Sequence, residues 1–167
     1  SGLRQTGAPD GSCSDKSKGQ VYGRTANYRD AFAIMYSWYM PKDSPSSSLG
    51  HRHDWENVVV WLDSDNPASA RIIAVAASAH GDYRKSYPIN SKYVSDGGVS
   101  AKIGYRSIWP ANHALELTTS SGSMQPLILW DQLTQAARDA LENTDFGSAH
   151  VPFRSGFENY LAEAYFK

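Results

Sequence analysis

The segment GHRHDWENVVVWL, residues 50–62, constrains the fold more than any other stretch of the chain. Its VVVW run consists of strong β-formers, and such a run predicts a buried strand over 54–62. Residues 51–56 place two histidines, an arginine and two acids at the beginning of this strand. Charged groups are costly to bury without partners. This end of the strand therefore predicts a metal site, a hydrolytic centre or a solvated charged turn.

Further strands flank this one. The aromatic and apolar segment 31–40 predicts a strand, and 41–50, with two prolines and four serines, predicts a loop. Strand, loop and strand together predict an antiparallel pair closed by a long connection. The small apolar residues of 70–80 predict a third strand in the middle of a sheet, and the Asp-Gly-Gly at 96–98 predicts a hairpin.

Two helices are expected after the strands. The segment 130–147 carries apolar residues at helical spacing, and 155–166 opens with the capping-box pair Ser155 and Glu158. The apolar faces are Leu133, Ala136, Ala137, Ala140 and Leu141 in the first helix, and Phe157, Leu161 and Ala164 in the second. Strands followed by helices predict a mainly β fold, a single domain over 1–167 with an antiparallel core and appended helices.

Charge excludes some classes of partner. The chain has 167 residues with 16 basic and 17 acidic side chains, a net charge of −1. No overall attraction to nucleic acid or to an anionic membrane is therefore expected. No apolar run approaches the length of a membrane span, and the first 19 residues show no apolar signal segment.

The charged cluster has two interpretations from the residues alone. In an extended strand Asp54 and Glu56 point to one side together with Arg52, while His53 and Trp55 point to the other. Asp43, expected in the preceding loop, would add a third carboxylate, and His51 would lie at the loop junction. Three carboxylates and one imidazole favour Ca²⁺, Mg²⁺ or Mn²⁺ over structural zinc. The alternative is a solvated cluster of ion pairs in which Arg52 neutralises one acid.

A metal-dependent hydrolase is a second class of function to consider. The sequence HRHD resembles the HxHxDH pattern of binuclear zinc hydrolases, but the acid follows the second histidine directly. His80, His113 and His150 would complete a zinc site only if the fold happened to bring them there. The chain has no GxSxG, P-loop, HExxH or CxxC motif, so we expect no enzyme.

A family resemblance decides between these interpretations. The segments AIMYSWYMPKDSP and LGHRHDWENVVVW resemble the signature of the necrosis- and ethylene-inducing peptide 1-like proteins, secreted cytolytic toxins of oomycetes, fungi and bacteria that act on plants. The heptapeptide GHRHDWE matches the family pattern without substitution. Further matches are GQVYGR, ASAHGDY, WPANHAL, LILWDQLTQAARDALENTDFGSAHVPF and NYLAEAYF.

The resemblance implies a central β-sandwich flanked by helices, similar to actinoporins, with a divalent-cation pocket. The implied ligands of a Ca²⁺ or Mg²⁺ ion are Asp43, His51, Asp54 and Glu56. His51 is expected to act through water or a hydrogen bond. His53 is assigned to structural support, and Arg52 to an ion pair behind the ligands.

The resemblance also implies the target membrane. Family members bind plant glycosylinositol phosphorylceramide, a sphingolipid whose sugars are bound near the metal. By resemblance Trp109 inserts at the membrane interface, which tryptophan prefers. His113 contacts the headgroup, and Asn112 belongs to the same loop.

Several expectations concern the state of the protein. The only cysteine, Cys13, matches one half of a family disulfide whose partner lies outside this sequence, and the family's N-terminal strand is expected to be missing. We expect a secreted protein, monomeric in solution. An alternative is a non-toxic member whose segment 33–52 is recognised by plant immune receptors.

Overall fold

A computed structural model describes Arg4 and residues 19–44, 49–107 and 113–167. Cys13, Trp109 and Asn112 lie outside these residues. The strands are β1 Val21–Tyr28, β2 Ala31–Asp43, β3 His51–Leu62, β4 Ile72–Ala79, β5 Asp82–Ser86, β6 Val94–Ser95, β7 Ser100–Ala101, β8 Ile103–Ser107, β9 His113–Leu117 and β10 Leu127–Leu129. The α-helices are α1 Gln135–Asn143 and α2 Phe157–Ala164.

A six-stranded sheet forms the centre of the molecule, in the order β10-β1-β2-β3-β4-β5. Its neighbouring strands are antiparallel except for β1 and β10, which are parallel. Two-stranded sheets pair β6 with β7 and β8 with β9. The predicted mainly β fold with two α-helices is confirmed, and the hairpin expected at 96–98 joins β6 to β7.

The central sheet has a core on each face, because β3 is buried on both sides. Val59 and Trp61 face one core with α2, and Val58 and Val60 face the other with β9. This is why β3 has a continuous apolar run instead of an alternating one. The structure is thus layered, with α2 and the C-terminal segment on one face and the β8–β9 hairpin on the other.

Three predictions of the element boundaries were wrong. The expected loop 41–50 begins later, because β2 continues to Asp43 and pairs with β3 there. The helix expected over 130–147 is α1 alone, since Thr134 caps it by accepting a hydrogen bond from the Ala137 amide, and a short 3₁₀ turn precedes it. The capping box at Ser155 does not form.

The cap of α2 differs because a glycine takes the capping position. Gly156 is the N-cap with φ +87°, a left-handed conformation that glycine adopts at little cost. The Ser155 hydroxyl donates instead to the Glu142 carboxylate at 2.6 Å, which joins the start of α2 to the end of α1. The predicted buried residues of α2, Phe157, Leu161 and Ala164, are confirmed.

No helix in the described part of the chain combines the length and the apolar character needed to cross a bilayer.

Candidate functional site

The site lies where β2 ends and β3 begins. Asp43 is opposite His51 in the antiparallel ladder, and the chain enters β3 through Gly50. Gly50 has φ +91°, and a Cβ there would stand 2.0 Å from the Asp43 carbonyl oxygen. The first residue of the motif is therefore a glycine because the backbone of the turn packs directly on Asp43.

A local break in the strand pattern decides which side chains face the site. The ladder pairs Met40 with Asp54 and Lys42 with Arg52, but it skips Pro41 and His53 between them. His53 has φ +58°, outside the extended region, and Pro41 has no amide to donate. Simple alternation is lost there.

This break changes which side chains face the pocket. His51, not Arg52, shares a pocket with Asp54 and Glu56, whereas Arg52 is exposed and does not line that pocket. Asp43 and His51 also belong to paired strands and not to a loop. Alternation through His53 predicted the opposite phase, because a left-handed residue inside a strand is not visible in a polarity pattern.

The pocket has a volume of about 590 Å³ and is lined by both polar and apolar residues. Its lining is formed by Asp43, His51, Asp54, Trp55, Glu56, Asn57, Ser78, Ala79, His80, Gly81, Asp82, Tyr83, His113, Ser148, Ala149, His150, Tyr160 and Glu163. Five of these side chains are carboxylates, and none of the described lining residues is Lys or Arg. The pocket therefore concentrates negative charge in a protein that is nearly neutral as a whole.

Asp43 is the most buried acid of the pocket, with 1% of its surface exposed. The Nδ1 atom of His113 forms a short contact with one of its carboxylate oxygens, and His51 Nε2 lies 3.7 Å from the other. His113, at the beginning of β9, therefore joins the two sheets at the site. The tyrosine ring of Tyr105 stacks on His113 with a centroid separation of 4.8 Å.

The proton of His51 can be placed from its partners. His51 Nδ1 is 2.8 Å from the His53 carbonyl oxygen, which only accepts, so Nδ1 carries a hydrogen. In the neutral ring Nε2 is then the basic nitrogen, on the side of Asp43. Metal-binding histidines commonly donate their other ring N–H to a carbonyl in this way.

The Oδ2 atom of Asp54 is buried and has no hydrogen-bond partner in the described part of the chain. The pKa of Asp54 is raised to about 6, first by burial and second by the charge of Asp43, against a smaller opposing effect of His51. A buried acceptor without a donor is costly, and the cost falls when a cation contacts it.

Glu56 is 7% exposed. Its pKa is raised to about 8, first by burial and to a smaller extent by the charges of Asp54 and Asp43, while a hydrogen bond from Ser78 opposes the rise. Three acids therefore interact electrostatically in one pocket. A divalent cation would stabilise all three in the ionised form.

His53 lies on the other face of β3. Its Nδ1 is 2.7 Å from the Tyr39 hydroxyl, and its ring packs edge-on against Phe146. It is 8% exposed and belongs to an aromatic cluster with Trp55. His53 therefore packs among aromatic side chains and does not line the pocket.

The pocket includes residues that the sequence did not single out. Ser78, Asp82, Tyr160 and Glu163 reach it from β4, β5 and α2, and no motif or spacing indicated them. His80, His113 and His150, which would join the motif only if the fold brought them there, all line the pocket. Long-range packing, which a local pattern does not encode, brings them there.

The pocket offers oxygen and nitrogen donors to a divalent cation. Carboxylates and water are the ligands that Ca²⁺ and Mg²⁺ prefer, and the unpartnered Asp54 oxygen is a suitable acceptor. Among the described residues, however, no three His, Cys, Asp or Glu side chains stand so that they could hold an ion together. The donor chemistry fits, and a closed protein cage is not formed. Ions of this kind often complete their coordination with water.

Comparison with known proteins places the chain in a family. The model of the necrosis-inducing protein (NPP1) family matches residues 1–164. The chain belongs to the NPP1 family. A relative named NLP effector protein 10, from Phytophthora capsici, is 55% identical over 168 residues, which is 99% of this chain and 71% of the relative. Necrosis-inducing protein NPP1 from Phytophthora nicotianae is 54% identical, over 99% of this chain and 70% of its own length.

Solved structures show the same toxin fold. One described as "Toxin fold as basis for microbial attack and plant defense" is 58% identical with a TM-score of 0.92, over 99% of this chain and 76% of the other. One described as "NLPPya in complex with mannosamine" is 58% identical with a TM-score of 0.91 over the same shares. The structure of "non-toxic HaNLP3 protein" is 41% identical with a TM-score of 0.92, over 99% of this chain and 77% of that one.

Proposed function

We propose that this NPP1-family protein is a secreted, non-enzymatic cytolysin. It binds the sugar headgroup of plant glycosylinositol phosphorylceramide through a pocket organised by Ca²⁺ or Mg²⁺, and it then disturbs the plasma membrane. The observation that carries the proposal is the convergence of Asp43, His51, Asp54 and Glu56 on one acidic pocket whose described lining includes no Lys or Arg. Secretion agrees with relatives that are named effector proteins of Phytophthora.

The residues of this chain have separate tasks in the proposal. Asp43, Asp54 and Glu56 would hold the cation with His51, either directly or through water. His113 fixes Asp43 from the facing sheet. A bound cation supplies positive charge and open positions for sugar hydroxyls. The pocket is larger than an ion alone requires, and its size lies within the range of small-molecule sites.

The sugar part of the proposal is supported by the charge of the pocket. NLPPya structures have been solved with mannosamine and with glucosamine, both amino sugars. A protonated amine is attracted to an acidic pocket, and Asp82 and Glu163 add carboxylates away from β3. Trp109 and Asn112 precede His113 in the chain and would meet the membrane and the headgroup.

Sedimentation with vesicles tests this function. Wild-type protein should bind vesicles that contain glycosylinositol phosphorylceramide when Ca²⁺ or Mg²⁺ is present, and should stay in solution with EDTA or without the sphingolipid. Asp43→Asn should not bind. Asp65→Asn, an exposed acid in the turn after β3, should bind like the wild type. Equal binding with and without the sphingolipid would overturn the proposal, and zinc-dependent turnover of a generic ester or phosphoester would favour a hydrolase.

A further inference from the structure

We propose that Ser78 is a positioning residue that holds the Glu56 carboxylate in the orientation needed for the cation. The inference rests on the proposed function of the pocket and adds a residue that does not itself contact the ion. Ser78 belongs to β4, and its hydroxyl donates to Glu56 Oε2 across the gap between β4 and β3.

The direction of this hydrogen bond follows from the carboxylate, which in its ionised form only accepts. The Asn57 amide donates to Ser78 Oγ at 2.9 Å, so the serine oxygen is used as an acceptor from one side. A hydroxyl has a single hydrogen to give. That hydrogen goes to Glu56, because the carboxylate oxygen is an acceptor within contact distance.

The same unit is supported from β5. Tyr83 is opposite Ser78 in the β4–β5 ladder, and its hydroxyl donates to Asn57 Oδ1 at 2.5 Å. Asn57 and Tyr83 are buried, with 4% and 9% of their surface exposed. Tyr83, Asn57, Ser78 and Glu56 thus form a connected hydrogen-bonded chain over three strands, which ends at the pocket.

This arrangement has a consequence for the ion. One carboxylate oxygen of Glu56 accepts from Ser78, which restrains the rotation of the carboxylate where Glu56 lines the pocket. Groups that orient metal ligands in this way typically change metal affinity by about 10–100-fold when they are removed. Ser78 should therefore affect cation affinity more than it affects folding.

The chain offers a matched control in Ser37. Ser37 is fully buried. Its hydroxyl also donates to Glu56, but to the main-chain carbonyl oxygen, at 3.0 Å. Ser37→Ala therefore removes a buried serine hydroxyl from the same residue without touching the carboxylate. A purely structural effect of losing such a hydroxyl should appear in both variants.

The experiment is thermal unfolding of the full chain during titration with CaCl₂ and, separately, MgCl₂. An ion that binds only the folded protein raises the melting temperature as its concentration exceeds the dissociation constant. We expect Ser78→Ala to weaken the apparent affinity about 10–100-fold, Ser78→Thr to restore most of it because the hydroxyl is kept, and Ser37→Ala to leave it unchanged. Wild-type affinity in Ser78→Ala, or an equal loss in Ser37→Ala, would overturn the inference.

A second variant covers the case in which Ser78→Ala does not fold. Ser78→Cys keeps the side-chain volume and replaces the hydroxyl with a weak thiol donor, so a loss of cation affinity is again expected, and wild-type affinity would contradict the role. The wild-type titration separates this inference from the proposed function. If neither cation raises the melting temperature of the wild type, the pocket does not bind the cation, and both the proposed function and the role of Ser78 are rejected.

Discussion

At the scale of single residues, the acids of the pocket lie close enough to interact electrostatically. Asp54 and Glu56 lie near Asp43, away from bulk water, and their pKa values are raised to about 6 and about 8 from ordinary values of 3.8 and 4.5. Folding therefore favours their protonated forms. A raised carboxylate pKa contributes stability that is complete below the unfolded pKa and is lost as the pH rises through the folded pKa.

The cation-free protein should consequently become less stable as the pH rises from about 4 to about 8. Urea unfolding in EDTA at a series of pH values measures this slope. Saturating Ca²⁺ should reduce it, because the ion stabilises the ionised acids. In Asp54→Asn the decline between about pH 4 and pH 6 should be smaller. A cation-free stability that rises steadily over this range would contradict the electrostatics of the pocket.

Gly50 supports a second prediction at this scale. Gly50→Ala should destabilise the protein by more than the roughly 1–3 kcal/mol of a left-handed non-glycine residue, because its Cβ would also stand 2.0 Å from the Asp43 carbonyl oxygen. Gly81→Ala is the control, since Gly81 also has a positive φ, +81°, but nothing lies within 4 Å of its Cβ position. Equal losses in urea unfolding would show that the close approach to Asp43 is unimportant.

At the scale of secondary structure elements, the two α-helices differ in what they contribute. Helix α1 has no buried residue, whereas α2 buries Phe157, Leu161 and Ala164 against the central sheet. Trp61 of β3 donates its indole N–H to the Ala164 carbonyl oxygen at 3.2 Å, which ties the end of α2 to the middle of the sheet. The position of α2 matters for the site because Tyr160 and Glu163 line the pocket.

Leu161→Ala should therefore cost about 2–5 kcal/mol of unfolding free energy, since it leaves a cavity at a side chain that is 0% exposed. Ala136→Gly in the exposed part of α1 should cost only about 1 kcal/mol. Chemical denaturation of both variants measures the difference. If Leu161→Ala cost no more than Ala136→Gly, α2 would not be a packed part of the core.

The segment expected to be recognised by immune receptors is also defined at this scale. Residues 33–52 include most of β2, which lies between β1 and β3, and Met35 and Ser37 on it are fully buried. A receptor that reads this segment as an extended peptide needs it released from the sheet. The variant Asp43→Asn, which lacks toxicity in our proposal, allows this to be measured. We expect a stronger plant immune response to protease-digested Asp43→Asn than to the same variant in its folded form. Equal responses would show that the segment does not need to be released from the sheet.

The elements that the sequence predicted best are those whose pattern is local. The apolar run of β3 and the small residues of β4 predicted central strands, and both are found there. The helix boundaries were missed because caps depend on backbone conformation, such as the left-handed Gly156, and on partners distant in sequence, such as Glu142. Three acids of the pocket, Asp43, Asp54 and Glu56, were expected from the motif and the segment before it. Ser78 and Glu163 were not, since the packing of β4 and α2 brings them there.

At the scale of the whole molecule, the fold does not by itself determine toxicity. The non-toxic HaNLP3 protein shares it with a TM-score of 0.92 at 41% identity. The net charge of −1 also gives no general attraction to membranes. In our account the specificity therefore comes from side chains of the acidic pocket and from the residues that precede His113.

Dye leakage from lipid vesicles measures headgroup binding and membrane damage in one signal. We expect leakage only when glycosylinositol phosphorylceramide and Ca²⁺ or Mg²⁺ are both present, no leakage by folded Asp43→Asn, and wild-type leakage by Asp65→Asn. Leakage that persists in EDTA and in Asp43→Asn would show that the cation pocket does not cause the membrane damage.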